Sequence, residues 1–327
     1  MNDRRIIYVE RPKSFPTGGT KAIYRQVEIL HEHGFPAFVA IHRKPKMDFY
    51  GSKAPLLIFG SIFLRSRASI RRAVRPGDIW VIPEVYGSYM RALTDTPAKR
   101  IMLCQGHYAL PFASNPHLGI AEFGAHSLLV TTESQMQFFR HVYQANDVPY
   151  IQGYEVNRKI FSPAAQKKRQ IAFMPRKLPA DATFIEATFK RRYSRYADVP
   201  WVSIDRLAQH DVARILSESA VFLSLSHKDS LGLPPLEAMA CGCICAGFHG
   251  DGGKTYMTSE NGWWANDGDW LTCIDGLAAA LALFDSDTGD VRSYRRAIES
   301  TVERYSPQRL EAAVLGYWRR ELATPFP

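Results

Sequence analysis

The feature that most constrains this chain is a series of short, continuous apolar runs set between helical patterns. In the first half they fall at residues 6–9, 37–41, 78–83, 100–104 and 127–131. None alternates apolar with polar, so each reads as a strand buried on both faces. Such strands belong to a parallel sheet clad by helices. Between the first two runs, residues 20–33 read as a helix, with Ile23, Val27, Ile29 and Leu30 on one side and Gly34 past its end. The alternation pauses over the polar, basic stretch 157–169 and then restarts. Strands are predicted at 170–174, 201–204, 220–225 and 243–248, and helices at 181–193, 207–219 and 234–240. This is an α/β chain of two domains, 1–155 and 156–305, with a further helix over 307–322. Two such domains facing each other would leave a cleft, and parallel sheets bind ligands at the carboxyl ends of their strands.

Composition sets the partners. The 327 residues are 46% hydrophobic and 22% charged, an ordinary globular balance. The formal charge is +9, with basic clusters at 65–75, 167–169 and 190–195. A positive surface suits a nucleotide, a phospholipid headgroup or nucleic acid. No recognised nucleic-acid motif accompanies the basic residues, so none is expected as a partner. The apolar stretch 54–64 is too short to span a bilayer. Met1 is followed by Asn-Asp-Arg-Arg rather than by a signal peptide, and five cysteines are expected as free thiols in a reducing cytoplasm.

Residues 224–242, SLSHKDSLGLPPLEAMACG, carry the most chemistry. A strand ends near Leu225, a polar loop holds Asp229, Ser230 and Gly232, and Pro234 and Pro235 mark a helix start. Glu237 is expected in the first helical turn. Backbone amides at a helix N-terminus favour a phosphate, and carboxylates beside them accept sugar hydroxyls. The combination suits a nucleotide-sugar.

This segment resembles a known family. Asp229-x7-Glu237 resembles the E-x7-E motif of retaining GT-B glycosyltransferases of the family-four type, and LGLPPLEAMACG (231–242) matches the consensus around it. The Gly18-Gly19 turn resembles the family's N-terminal glycine loop. Residues 171–177 resemble the first strand of the second domain with its phosphate-binding basic pair. The resemblance implies two facing Rossmann-like domains with a cleft, and a C-terminal helix (306–327) crossing back to the first. It implies that Glu237 binds ribose hydroxyls. Asp229, with the backbone at Ser230, Leu231, Gly232 and Leu233, would hold the donor sugar and diphosphate. Gly18 and Gly19 would line the donor, and Arg176 and Lys177 would stabilise the leaving diphosphate with no metal cofactor. This chain departs from the pattern in two places. Asp229 is one methylene shorter than glutamate, about 1.5 Å less reach. Arg176 and Lys177 are adjacent, so a continuing strand pleat would turn only one of them inward.

Other residues have weaker claims. His107 follows a strand end and is a candidate for catalysis and acceptor contact, or else a satisfied loop histidine. Glu84 ends the 78–83 strand and is an acceptor-side candidate. Thr132 to Ser134 opens a helix in a similar place. Cys241, Cys243 and Cys245 lie too close together to wrap one tetrahedral ion, so buried core residues are expected and no metal. HGDGGKT (249–255) approximates a phosphate-binding loop, but Phe248 stands where that loop needs glycine. The pairs Asp267/Asp269 and Asp285/Asp287 have metal-site spacing but follow no strand legible in the sequence. The expected activity is retaining transfer from a nucleotide-sugar to a glycan or lipid-linked acceptor in polysaccharide biosynthesis. The alternatives are a nucleotide-sugar epimerase of the same fold or a non-catalytic nucleotide-sugar-binding protein. The apolar residues Ile62, Phe63 and Leu64 beside Arg65, Arg67, Arg71, Arg72 and Arg75 suggest peripheral contact with an anionic membrane.

Overall fold

The computed structural model describes residues 4–11, 17–43, 51–60, 67–110, 124–286 and 289–324. The chain divides into one unit of Met1–Tyr154 with Gln308–Pro327 and a second of Glu155–Pro307.

The first unit is a six-stranded sheet in the order β3-β2-β1-β4-β5-β6. The strands are β1 (Ile6–Val9), β2 (Ala37–Ile41), β3 (Leu56–Ile58), β4 (Ile79–Pro83), β5 (Lys99–Cys104) and β6 (Ser127–Val130). Every pairing is parallel. Alternate side chains of β1 serve opposite faces, as a two-residue period demands. Ile6 and Tyr8 pack with Val27, Leu30 and Trp318, while Ile7 and Val9 pack with Trp80, Met90 and Phe139. Helix α1 (Gly18–Glu32) thus covers one face, and α2 (Arg67–Ala73), α3 (Gly87–Ala92) and α4 (Glu133–Val142) follow β3, β4 and β6. The last helix of the chain, Pro307–Ala323, returns to the face of α1. There the Trp318 indole N–H donates to Tyr8 Oη over 3.1 Å, and Tyr8 Oη donates to Gln26 Oε1 over 3.0 Å. Losing a buried tryptophan of this kind costs about 3–5 kcal/mol.

The second unit is a five-stranded parallel sheet in the order β11-β10-β9-β7-β8. Its strands are β7 (Lys168–Phe173), β8 (Trp201–Ser203), β9 (Ser219–Ser226), β10 (Ile244–His249) and β11 (Trp263–Ala265). Helices α5 (Pro179–Arg192), α6 (Gln209–Glu218), α7 (Leu233–Ala240), α8 (Trp270–Asp285) and α9 (Gly289–Glu303) accompany them, and the returning helix is α10. The chain order reverses between β7 and β9, the topological switch where open α/β sheets bind ligands.

Several sequence expectations shift. Lys168 and Arg169, read as the end of the polar stretch 157–169, belong to β7, and each is neutralised by an ion pair, with Glu218 at 2.6 Å and Asp285 at 2.9 Å. Asp267 and Asp269 do follow a strand. β11 has only three residues, too few for its pattern to show, and it pairs with β10 at Ala246↔Trp263. Asp269 caps α8 by accepting from Thr272 N–H over 3.2 Å. Asp287 lies outside the described residues. The three neighbouring cysteines are core residues. Cys243 Sγ lies 3.0 Å from Leu216 O, and burial pushes the Cys241 thiol up to about 12 and Cys243 to about 11. Among the described residues, no helix is long and apolar enough to cross a membrane.

Candidate functional site

The strongest cluster lies at the switch of the second unit. β7 ends in a tight turn, Pro175–Lys177, rather than in further strand pleat. That turn separates the two basic residues. Lys177 reaches across to the exit of β9, where its Nζ donates to Asp229 Oδ1 and, over 2.9 Å, to His227 O. An ammonium has three donors, and these are its two acceptors among the described residues. The Arg176 side chain is exposed to solvent. Asp229 Oδ2 accepts the backbone N–H of His227 over 3.2 Å. Both side chains of the ion pair stay partly accessible, 32% for Lys177 and 21% for Asp229. Between His227 and Asp229, Lys228 has φ of 47°, a left-handed conformation that costs a side-chain-bearing residue about 1–2 kcal/mol. Such strain is characteristic of functional turns.

Gly232 then caps α7 in the left-handed region, with φ of 84°. A side chain there would be strained and would press on Ser226 Oγ at 3.3 Å and Tyr256 Oη at 3.4 Å. Tyr256 is fully buried and donates to Gly232 O over 2.5 Å, which pins the loop from below. Two expectations need correction here. Pro234 and Pro235 occupy the first turn and carry no N–H, so this helix start offers an anion the amides of Leu231, Gly232 and Leu233 at most, not the longer run expected. Glu237 is the fifth helical residue, past the first turn, and is half-buried. Ser230 is half-buried and Leu231 is core.

The loop after β10 explains its glycines by contact. Gly252 N–H donates to Asp229 O over 3.0 Å, and a β-carbon on Gly252 would fall 1.9 Å from Ser230 O. The HGDGGKT segment therefore props the Asp229 loop by close backbone approach. His227 Nδ1 lies 2.7 Å from Asp267 Oδ2, a tie from β9 to the exit of β11.

The candidates of the first unit follow the carboxyl ends of β1, β4, β5 and β6. Gly18 and Gly19 open α1, capped by Thr17, whose Oγ1 accepts from Thr20 N–H over 3.3 Å. Gln105 donates to Gly19 O over 3.0 Å, and its Oε1 would meet a β-carbon on Gly19 at 2.9 Å. The glycine there makes room for Gln105. Glu84 is buried and accepts Gln105 N–H over 3.0 Å. His107 stacks on Phe138 with ring centroids 4.4 Å apart. Thr132 caps α4, accepting from Gln135 N–H over 3.4 Å.

A further carboxylate among these strand ends escaped the sequence reading. Glu10, directly after β1, is 3% exposed and accepts the Tyr86 hydroxyl and, over 2.7 Å, Arg11 N–H. Burial and then the Glu10 charge push Tyr24 up to about 12, and the same causes raise Tyr86. The Arg11 guanidinium lies 5.0 Å from the Tyr86 ring centroid. The only sequence signal was position, since Glu10 stands at the carboxyl end of the first strand.

Comparison with known proteins fits this geometry. Residues 203–296, which contain the β9–α7 segment, match the family model described as Glycosyl transferases group 1. An alpha-1,6-glucosyltransferase of Actinobacillus pleuropneumoniae serotype 7 is 38% identical over 127 residues, covering 38% of this chain. The match spans only about a third of that relative, 35% of its length. Anabaena HepE, solved with UDP and glucose, superposes with a TM-score of 0.72 at 12% identity, over 97% of this chain and all of the other (100%). A glycosyltransferase from Rickettsia africae gives 0.73 at 13% identity, over 99% of this chain and 100% of that one. Sucrose-phosphate synthase from Thermosynechococcus elongatus gives 0.70 at 12% identity, over 98% and 99%. Identities this low speak to fold alone. Residues 203–296 are thus similar to the group 1 glycosyl transferase model, within a chain whose two parallel α/β units have the fold of the GT-B structures.

Proposed function

We propose that this protein is a glycosyltransferase that moves a sugar from a nucleotide-diphosphate donor with retention of anomeric configuration and without a metal ion. The observation that carries the reading is the Lys177–Asp229 pair at the β7/β9 switch, set against the amides that open α7. The hard step in such a transfer is departure of the diphosphate, whose charge grows as the glycosidic bond breaks. Only contacts that strengthen with that charge lower the barrier. Lys177 and the amides of Leu231, Gly232 and Leu233 supply them, reinforced by the dipole of α7. Asp229 accepts hydroxyls of the donor sugar, and Glu237 those of the ribose. The donor competes with Asp229 for Lys177, so the pair opens partly as the diphosphate arrives. Retention fits a departing phosphate that takes the acceptor's proton on the face it leaves. UDP-glucose is the first donor to try, because HepE is solved with UDP-glucose and the Actinobacillus relative is named a glucosyltransferase. The acceptor is a glycan or lipid-linked glycan, with Glu84 and His107 facing its binding.

The test begins with thermal shifts against UDP, GDP, dTDP and ADP and continues with the matching sugar donors. Product anomers are then read by proton NMR. Stabilisation by one nucleotide diphosphate, with transfer that survives EDTA, is the expected result. Loss of transfer in EDTA restored by manganese would remove the metal-free mechanism. A chain that no nucleotide stabilises and no donor engages would remove the reading altogether.

A further inference from the structure

The tie between His227 and Asp267 has no part in the chemistry above. It joins the exits of two strands, β9 and β11, that are not neighbours in the sheet. Nδ1 of His227 and Oδ2 of Asp267 stand 2.7 Å apart, with both side chains about one-third exposed, 35% and 37%. A pair that open to solvent adds little to stability. Its position is the informative part. The main chain of His227 is bonded at both ends to the ion pair of the site, its N–H to Asp229 and its carbonyl to Lys177. The next residue, Lys228, is held in a left-handed conformation that its own side chain disfavours. The turn that aims Lys177 and Asp229 therefore needs an outside anchor, and the imidazole held by Asp267 is one.

We propose that His227 and Asp267 act as positioning residues, with Asp267 fixing the His227 ring so that the β9 exit turn presents Lys177 and Asp229 in register. The proposal rests on the glycosyl-transfer reading for its consequence but not for its geometry. The residue at 227 must then offer a donor where Nδ1 now stands. The amide nitrogen of asparagine falls near that place. The amide nitrogen of glutamine falls near Nε2, where a direct substrate contact would be made instead.

Two measurements test this on the full chain. The first is the rate at which an amine-acetylating reagent labels Lys177, followed by mass spectrometry, which needs no donor. Asp267→Ala and His227→Ala should each speed labelling several-fold, and His227→Asn should return it to the wild-type rate. The second is steady-state transfer. Asp267→Ala and His227→Ala should lower kcat on the order of ten- to a hundred-fold, the scale of a loosened reacting geometry, while the donor KM moves little. The double variant should be no worse than either single one. His227→Asn should recover most of the turnover and His227→Gln should not. Recovery by glutamine but not by asparagine would make His227 a direct substrate contact and overturn the proposal. Labelling unchanged in Asp267→Ala would overturn it too. Labelling that responds as expected in a chain that binds no donor would leave the positioning intact and sink the sugar reading.

Discussion

The two units share one architecture and use their switch points differently. In the second unit the switch is open and bipolar, with a partly accessible lysine, a partly accessible aspartate and a helix N-terminus beside them. In the first unit the switch, between β1 and β4, is closed and acidic. Glu10 and Glu84 are both buried, and each already accepts hydrogen bonds from its own surroundings. A partly accessible cation can take up a phosphate. Buried carboxylates repel phosphate. One sheet design thus presents an accessible ion pair at one switch and buried, hydrogen-bonded carboxylates at the other. The difference lies in the side chains at four strand ends.

The sharpest test of this contrast is Lys177→Ala, which removes the donor aimed at the growing charge. Turnover should fall about 10²–10³-fold, the usual loss for such a group. Arg176→Ala, one residue away but turned to solvent, should change turnover by less than about tenfold. Equal losses in the two variants would mean that the turn rearranges when donor binds. Next comes Glu237→Gln. A charge-assisted bond to a buried hydroxyl is worth about 1.5–3 kcal/mol, so nucleotide affinity should drop roughly 10- to 150-fold by calorimetry. Unchanged affinity would take the ribose role from Glu237.

The first unit should answer in stability instead. Glu10→Ala leaves the Tyr86 hydroxyl and Arg11 N–H without their acceptor, at a cost of about 1–3 kcal/mol in urea unfolding. Nucleotide affinity should not move. If it does, the separation of roles between the two switches is wrong. The smallest effect concerns the basic stretch of the first unit. Arg71 and Arg72 are exposed in the last turn of α2, whereas Ile62, Phe63, Leu64 and Arg65 lie outside the described residues. If this face touches an anionic membrane, each arginine contributes about 1 kcal/mol. Arg71→Glu with Arg72→Glu should then lower co-sedimentation with anionic vesicles and leave neutral ones unchanged. Equal partitioning in every case would remove the membrane from the account.

Much of this protein is local and therefore readable along the chain. The strands β1, β2, β4, β5 and β9 are buried on both faces, so hydrophobicity alone marks them, and each falls within a residue or two of its expected limits. The loop and helix from Asp229 to Glu237 form one contiguous segment, so the helix start at its prolines could be read from the sequence. Short or polar-edged elements were legible unevenly, and the three-residue β8 falls within its expected limits. β11 has three residues and did not show, and β7 opens on two charged ones, so only its apolar end, within the expected 170–174, was legible. The partnerships were hidden more deeply. Lys177 meets Asp229 across 52 residues, His227 meets Asp267 across 40, and Glu10 meets Tyr86 across 76. No periodicity links such residues. They meet because the parallel order of the sheet brings particular strand ends together, and because a tight turn instead of a pleat aims Lys177 inward and Arg176 away. Hydrophobic patterning acts through near neighbours and specifies the elements, whereas a site needs side chains from distant strands, whose meeting depends on how the whole sheet is ordered.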